Sequence, residues 1–175
     1  MANTGGGPLR PAQLTGVIKE CREAGELARI VQEHREVLNH IHVSAAWVCL
    51  ARIGRGRDGG EMREVFGSLQ DLTREVLGEL SGRGIANVMH SMGKLKKKGG
   101  ALDGDLLKAM QRRATATAGE FNPQEVANLL WGLATMGEQA DRGLLEVIQR
   151  RATATAGEFK PQEVANLVWA LATMG

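Results

Sequence analysis

The sequence has no tyrosine, three tryptophans, three phenylalanines, four prolines and two cysteines in 175 residues. Its longest apolar runs, such as VCLA and VANLL, are far shorter than the roughly 20 residues a helix needs to cross a bilayer. No membrane insertion is expected. Cys21 and Cys49 lie 28 positions apart and belong to no CxxC pair, so neither a disulfide framework nor a structural zinc site is indicated, and a reducing setting is expected. The opening MANTGGGPLR has no apolar core and one charge, Arg10, which leaves no legible signal or transit peptide. Alternating apolar positions and β-branched runs are missing too, so no strand pattern competes with helix.

Reactive constellations are equally scarce. His34, His40, His42 and His90 form no HExxH and join no cysteine pair, so surface or satisfied-core roles are expected and no metal is assigned. GRGRDGG satisfies G-x-G-x-x-G but follows the end of a helical pattern rather than a strand, which reads as a connector, not a dinucleotide site. Asp103 and Asp105 suit a helix start. With no nucleophile, base and oxyanion set, the reading is a non-enzyme without cofactor.

What the chain does have is a repeat. QRRATATAGEFNPQEVANLLWGLATMG, residues 111–137, returns 38 positions later as QRRATATAGEFKPQEVANLVWALATMG, residues 149–175, with three changes: Asn122 to Lys160, Leu130 to Val168 and Gly132 to Ala170. IANVMHSMGKL (85–95) aligns with VANLLWGLATM at an offset of 41, and VSAAWVCLARIG (43–54) aligns more faintly at 83. Each unit reads as two helices. In the first, Val126, Leu129, Leu130, Leu133 and Met136 make one apolar face. Asn122 suits the N-cap, Pro123 the first turn, Glu125 the capping box, and Phe121 a staple onto Val126, with Gly137 as the stop. The second helix, about 141–156, turns Leu144, Leu145, Ile148 and Ala152 inward and is ended by Gly157. Lys160 loses the Asn cap, worth about 1 kcal/mol.

A helical hairpin cannot bury its apolar face alone, so stacked neighbours supply the core. The expected fold is all-α, an α-solenoid of stacked helical hairpins repeating about every 38 residues. The expected division is a flexible N-terminus (1–12), a helical pair (13–42), degenerate repeats at 43–82 and, with a Lys/Gly connector, 83–121, a full repeat (122–159) and a truncated one (160–175). A terminal helix without its partner suggests a fragment with an uncovered apolar face.

Net charge is only +2, but residues 81–175 hold 12 Lys/Arg against 9 Asp/Glu, and Arg83 to Lys98 holds five basic residues and no acid. On the first helix of each unit, Gln124, Asn128, Trp131 and Thr135 fall at i, i+4, i+7 and i+11, repeated as Gln162, Asn166, Trp169 and Thr173 and, divergently, as Arg83, Asn87, His90 and Lys94. Asparagine suits base edges and arginine or lysine suits phosphate. The competing reading has Asn bonding a neighbouring backbone and Trp in the core. In the earliest unit the stripe becomes Ile41, Ala45, Val48 and Arg52, which favours packing there. Arg112, Arg113, Arg150 and Arg151 recur on the second helix as phosphate candidates or as a solvated face; the KLKKK run has the same two readings.

The spacing and the PQEVANLLWGLATMG motif resemble the octotricopeptide repeat (OPR) proteins, organellar RNA-binding solenoids. LNHIHVSAAWVCLARIG is similar to the leucine-rich helical region they share with the FAST-kinase-like, RAP-domain group. The resemblance covers about residues 14–175. It implies binding of a single-stranded organellar transcript, with a role in RNA stability, processing or translation activation alongside other RNA-processing or translation proteins. The chloroplast is the first compartment it implies and the mitochondrion the second. No RAP domain is present in this chain, so its nuclease-like chemistry is not carried over. The alternative is an armadillo- or tetratricopeptide-type protein-interaction scaffold, which the modest charge and lack of tyrosine favour.

Overall fold

The computed structural model describes residues 10–54, 59–96 and 101–175. Among them are nine α-helices and no strand: α1 (Pro11–Glu20), α2 (Ala24–Glu33), α3 (His40–Ile53), α4 (Gly60–Glu75), α5 (Gly82–Leu95), α6 (Gly104–Ala116), α7 (Pro123–Met136), α8 (Arg142–Ala154) and α9 (Pro161–Met174). Among the described residues no helix is long and apolar enough to cross a membrane. The odd-numbered helices pack in chain order, α1 on α3, α3 on α5, α5 on α7 and α7 on α9. The even-numbered helices form a second row, with α2 on α4 and α6 on α8. This packing is consistent with a helical repeat.

The start of α7 follows its sequence closely. Asn122 Oδ1 accepts from the Glu125 N–H (2.9 Å), and Glu125 Oε2 accepts from the Asn122 N–H (3.0 Å). Phe121 and Val126 are both buried, and Gly137 ends the helix at φ 72°, a conformation only glycine adopts without strain. At α9 one arm is lost. Glu163 still accepts from the Lys160 N–H (2.9 Å), but an ammonium has no lone pair to return, and the Glu163 N–H turns to the Lys160 carbonyl (3.0 Å).

Several boundaries differ from the sequence reading. A helix already begins at Pro11, inside the stretch expected to be flexible. α3 starts at His40 rather than near Val43 because Asn39 Oδ1 accepts from the Ile41 and His42 N–H groups, while His42 Nδ1 accepts from the Asn39 N–H (3.1 Å). That bond leaves His42 Nε2 as a donor to the Pro11 carbonyl at 2.9 Å; this is a satisfied core histidine. Gly157 does not end α8. The helix stops at Ala154, and Gly157 sits in a 3-10 turn, Ala156–Glu158. Buried Thr155 donates both its hydroxyl (3.0 Å) and its N–H (3.1 Å) to the Arg151 carbonyl, as Thr117 does to Arg113 in α6 (3.0 and 3.1 Å). The GxGxxG stretch and the Lys/Gly connector fall largely on 55–58 and 97–100, outside the described residues.

The rows are tied by contacts that recur with the repeat. Gln70 of α4 donates to the Ala101 carbonyl (3.2 Å) and accepts from the Asp103 N–H (2.8 Å). Gln111 of α6 does the same to Gln139 (3.2 Å) and Asp141 (2.7 Å). Both glutamines are buried; each amide satisfies a donor and an acceptor in the turn that leads into the next even-numbered helix. Trp47 anchors the first complete unit, edge-on to Phe66 (centroids 5.1 Å, 87°) with Nε1 donating to Thr73 Oγ1 at 2.8 Å.

Candidate nucleic-acid interface

The stripe positions of α5, α7 and α9 fall on one face. Their aromatic members form a ladder: the His90 and Trp131 rings are 4.6 Å apart, and those of Trp131 and Trp169 are 6.3 Å apart at 37°. Trp131 is half-buried and Trp169 is 46% exposed. Neither tryptophan is fully buried among the described residues. One turn earlier on each helix stand Asn87, Asn128 and Asn166, all partly exposed. Among the described residues no hydrogen bond joins the side chain of Asn87 or Asn128 to a neighbouring backbone; in α9, Asn166 Oδ1 accepts from Gln162 Nε2 of its own helix at 3.0 Å.

Between α5 and α7 the row opens into a notch of about 240 Å³, lined by Arg83, Asn87, Asn122, Gln124, Glu125 and Asn128. A guanidinium and amide donors and acceptors converge there, so it can bond a planar polar group on its edge. Exposed Arg83 and Lys94 carry the positive charge of α5.

His90 departs from its expected role. Burial, followed by the nearby Lys94 charge, lowers its pKa to about 4, so it is neutral at pH 7 and offers no cation to a phosphate. Its Nδ1 and the Thr135 hydroxyl are buried without a hydrogen-bond partner. Thr173, the counterpart of Thr135 in α9, instead donates to the Trp169 carbonyl at 2.8 Å.

The paired arginines separate into two kinds. Arg113 donates Nε–H to the Leu80 carbonyl (3.0 Å), and Arg151 donates to the Phe121 carbonyl (2.6 Å). Each clamps the residue leading into the odd-numbered helix of its own hairpin, a structural task the sequence reading missed. Their neighbours Arg112 and Arg150 are exposed on the even-numbered row, away from the aromatic ladder.

Other titratable groups are structural. Asp103 caps α6, and hydrogen bonds from the Leu106 and Asp105 N–H groups (2.9 and 3.0 Å), with Arg74 beside it, hold its carboxyl below the usual value. Burial pushes the Cys21 thiol up to about 11 and raises Cys49 as well, so neither is an activated nucleophile. Among the described residues no group of three or more His, Cys, Asp or Glu could hold a metal ion.

One expectation fails. Ile41 and Val48 do not pack: they are 54% and 46% exposed. With Ala45 and Arg52 they continue the same surface onto α3, where they line a groove of about 690 Å³ that reaches Thr15 and Lys19 of α1 and Arg83 and Asn87 of α5. The sequence offset of 83 places these residues on the stripe, but only the neighbouring helices show that nothing among the described residues buries them.

Among the described residues the protein is all-helical, its packing is consistent with a helical repeat, and polar and aromatic residues share one face along α5, α7 and α9. A family described as a protein of unknown function (DUF1601) matches residues 98–130 and 138–168. Each matched segment takes in an even-numbered helix and the first half of the odd-numbered helix after it, so the match follows the same unit twice. No curated protein matches the chain.

Proposed function

We propose that this chain is a non-catalytic RNA-binding α-solenoid of octotricopeptide type, with hairpins repeating about every 38 residues and the odd-numbered helices as its single-strand reading face. The observation that carries the reading is the His90–Trp131–Trp169 ladder running beside the Asn87–Asn128–Asn166 row. Aromatic faces accept unpaired bases by stacking, and amides pair with base edges. Arg83 and Lys94 supply phosphate attraction at one end of the ladder. Arg112 and Arg150 add long-range positive charge, whereas Arg113 and Arg151 serve the hairpin. Gln124 and Gln162 flank the asparagines as further edge donors. An organellar transcript as ligand, and a role in its stability, processing or translation in the chloroplast or mitochondrion, follow from the family resemblance.

The test is selection from a randomised single-stranded RNA pool, with duplex DNA as competitor, followed by binding across a salt series. Selective enrichment with a steep salt slope is expected. Trp131→Ala or Trp169→Ala should weaken binding by about 1–3 kcal/mol for each base stacked, and Asn128→Ala should change the selected sequence. No enrichment by a sample with a helical circular-dichroism spectrum would discard the reading.

A further inference from the structure

The reading face changes chemistry at its N-terminal end. Two exposed β-branched aliphatics, Ile41 and Val48, form the floor of the α1–α3–α5 groove, and the one ring in its lining is His40, whose Nδ1 lies 3.1 Å from Glu79 Oε2. The cationic groups of the groove are Lys19, Arg52 and Arg83, and none of its lining residues is acidic. Arg52 is fixed in place, donating to the Lys19 carbonyl (2.8 Å) and the Cys21 carbonyl (2.6 Å). Those acceptors are neutral; outside the groove, Lys19 and Arg52 also line a second pocket with Glu20, Arg22 and Glu26. Among the described residues neither Lys19 nor Arg83 takes part in an ion pair.

An exposed apolar strip whose lining carries cations and no carboxylate is the form of a peptide-docking surface. We propose that this groove binds an acidic segment of a partner protein, which lays two apolar side chains on Ile41 and Val48 and sets carboxylates against Lys19, Arg52 and Arg83. Ile41 and Val48 are seven residues apart, about 10 Å at 1.5 Å per residue of helix. Matching anchors are therefore seven apart in a helical ligand or three apart in an extended one, at about 3.3 Å per residue. The floor of the groove lies on α3 and the aromatic ladder on α5, α7 and α9, while Arg83 and Asn87 border both.

The experiment is selection of phage-displayed random dodecapeptides on the whole chain, with the Val48→Glu variant as counter-selection, then fluorescence anisotropy on the enriched peptides. Enriched sequences should be net acidic with paired apolar residues. Val48→Glu and Ile41→Glu should each weaken them about tenfold or more without changing the circular-dichroism spectrum, because both positions are exposed. Arg83→Ala should also weaken them, and Trp131→Ala should leave them unchanged. Failure to enrich, or enrichment of neutral or basic peptides indifferent to Val48→Glu, would overturn the proposal. So would loss of single-stranded RNA binding in Val48→Glu, which would assign the groove to nucleic acid. Because Trp131→Ala and Val48→Glu act on different helices, failure here is separable from failure of the RNA reading.

Discussion

Gly93 and Gly132 meet where α5 crosses α7: a Cβ on Gly93 would lie 3.1 Å from the Cα of Gly132, and one on Gly132 would lie 2.5 Å from the Met89 carbonyl oxygen. The two backbones touch, with no room for a methyl group between them. The next crossing, α7 on α9, is built with Ala170 at the equivalent position, fully buried. Gly132→Ala should therefore destabilise the chain by about 1–3 kcal/mol through overpacking, even after the gain in helix propensity. Ala170→Gly should cost about 1 kcal/mol, mainly from propensity. Urea unfolding midpoints of the two variants check the contrast; equal, small shifts would mean the crossing relaxes freely.

The depressed pKa of His90 has a stability consequence with a definite sign. In the unfolded chain the imidazole takes its proton near pH 6.5, in the folded chain only near about 4. The unfolded state thus binds more protons between these values, and stability falls as pH drops from 6.5 toward 4 and is level above 6.5. At 1.36 kcal/mol per unit the loss is bounded at about 3 kcal/mol, and partial exposure of the ring lowers it. His90→Gln should flatten this part of the stability curve. An unchanged slope between wild type and variant would remove His90 as its source.

Arg151 and Arg150 are neighbours in sequence with different work. Arg151→Ala leaves the Phe121 carbonyl without its guanidinium donor and should cost about 1–3 kcal/mol; Arg150→Ala, at an exposed position, should stay within about 0.5 kcal/mol. In RNA binding the order should reverse, with Arg150→Ala lowering the salt slope. Thermal melts and salt-dependent binding of the same two variants read both halves.

Lys160→Asn copies the N-cap of α7 onto α9. Asn would accept the Glu163 N–H that Lys160 cannot, and the expected gain is about 1 kcal/mol. The reading is a higher melting temperature together with slower amide exchange at Glu163. No gain would mean that the remaining arm of the box already holds the start of α9.

The apolar face of α9 shows how similar sequences acquire different environments. Val164, Val168 and Leu171 occupy the positions of Val126, Leu130 and Leu133 in α7. The α7 residues are buried, whereas Val168 is 59% exposed, because no helix among the described residues lies on that side of α9. Helix periodicity marks both sets as apolar. It carries no information on whether a neighbour is present to cover them.

The sequence by itself determined the helices, the capping of α7 and the spacing of the stripe on the odd-numbered helices. Those features arise from 3.6-residue periodicity and from bonds between residues three or four apart, so a short window contains all their partners. Tertiary structure decided which polar groups do structural work and which remain open to a ligand. Arg113 and Arg151 become clamps, Gln70 and Gln111 bridge to the next turn, His90 loses its charge, and Ile41 and Val48 are left exposed by the other described residues. Each outcome depends on a partner or a desolvating neighbour roughly one repeat away in the chain, and a single helix's periodicity does not encode what the next helix brings to meet it.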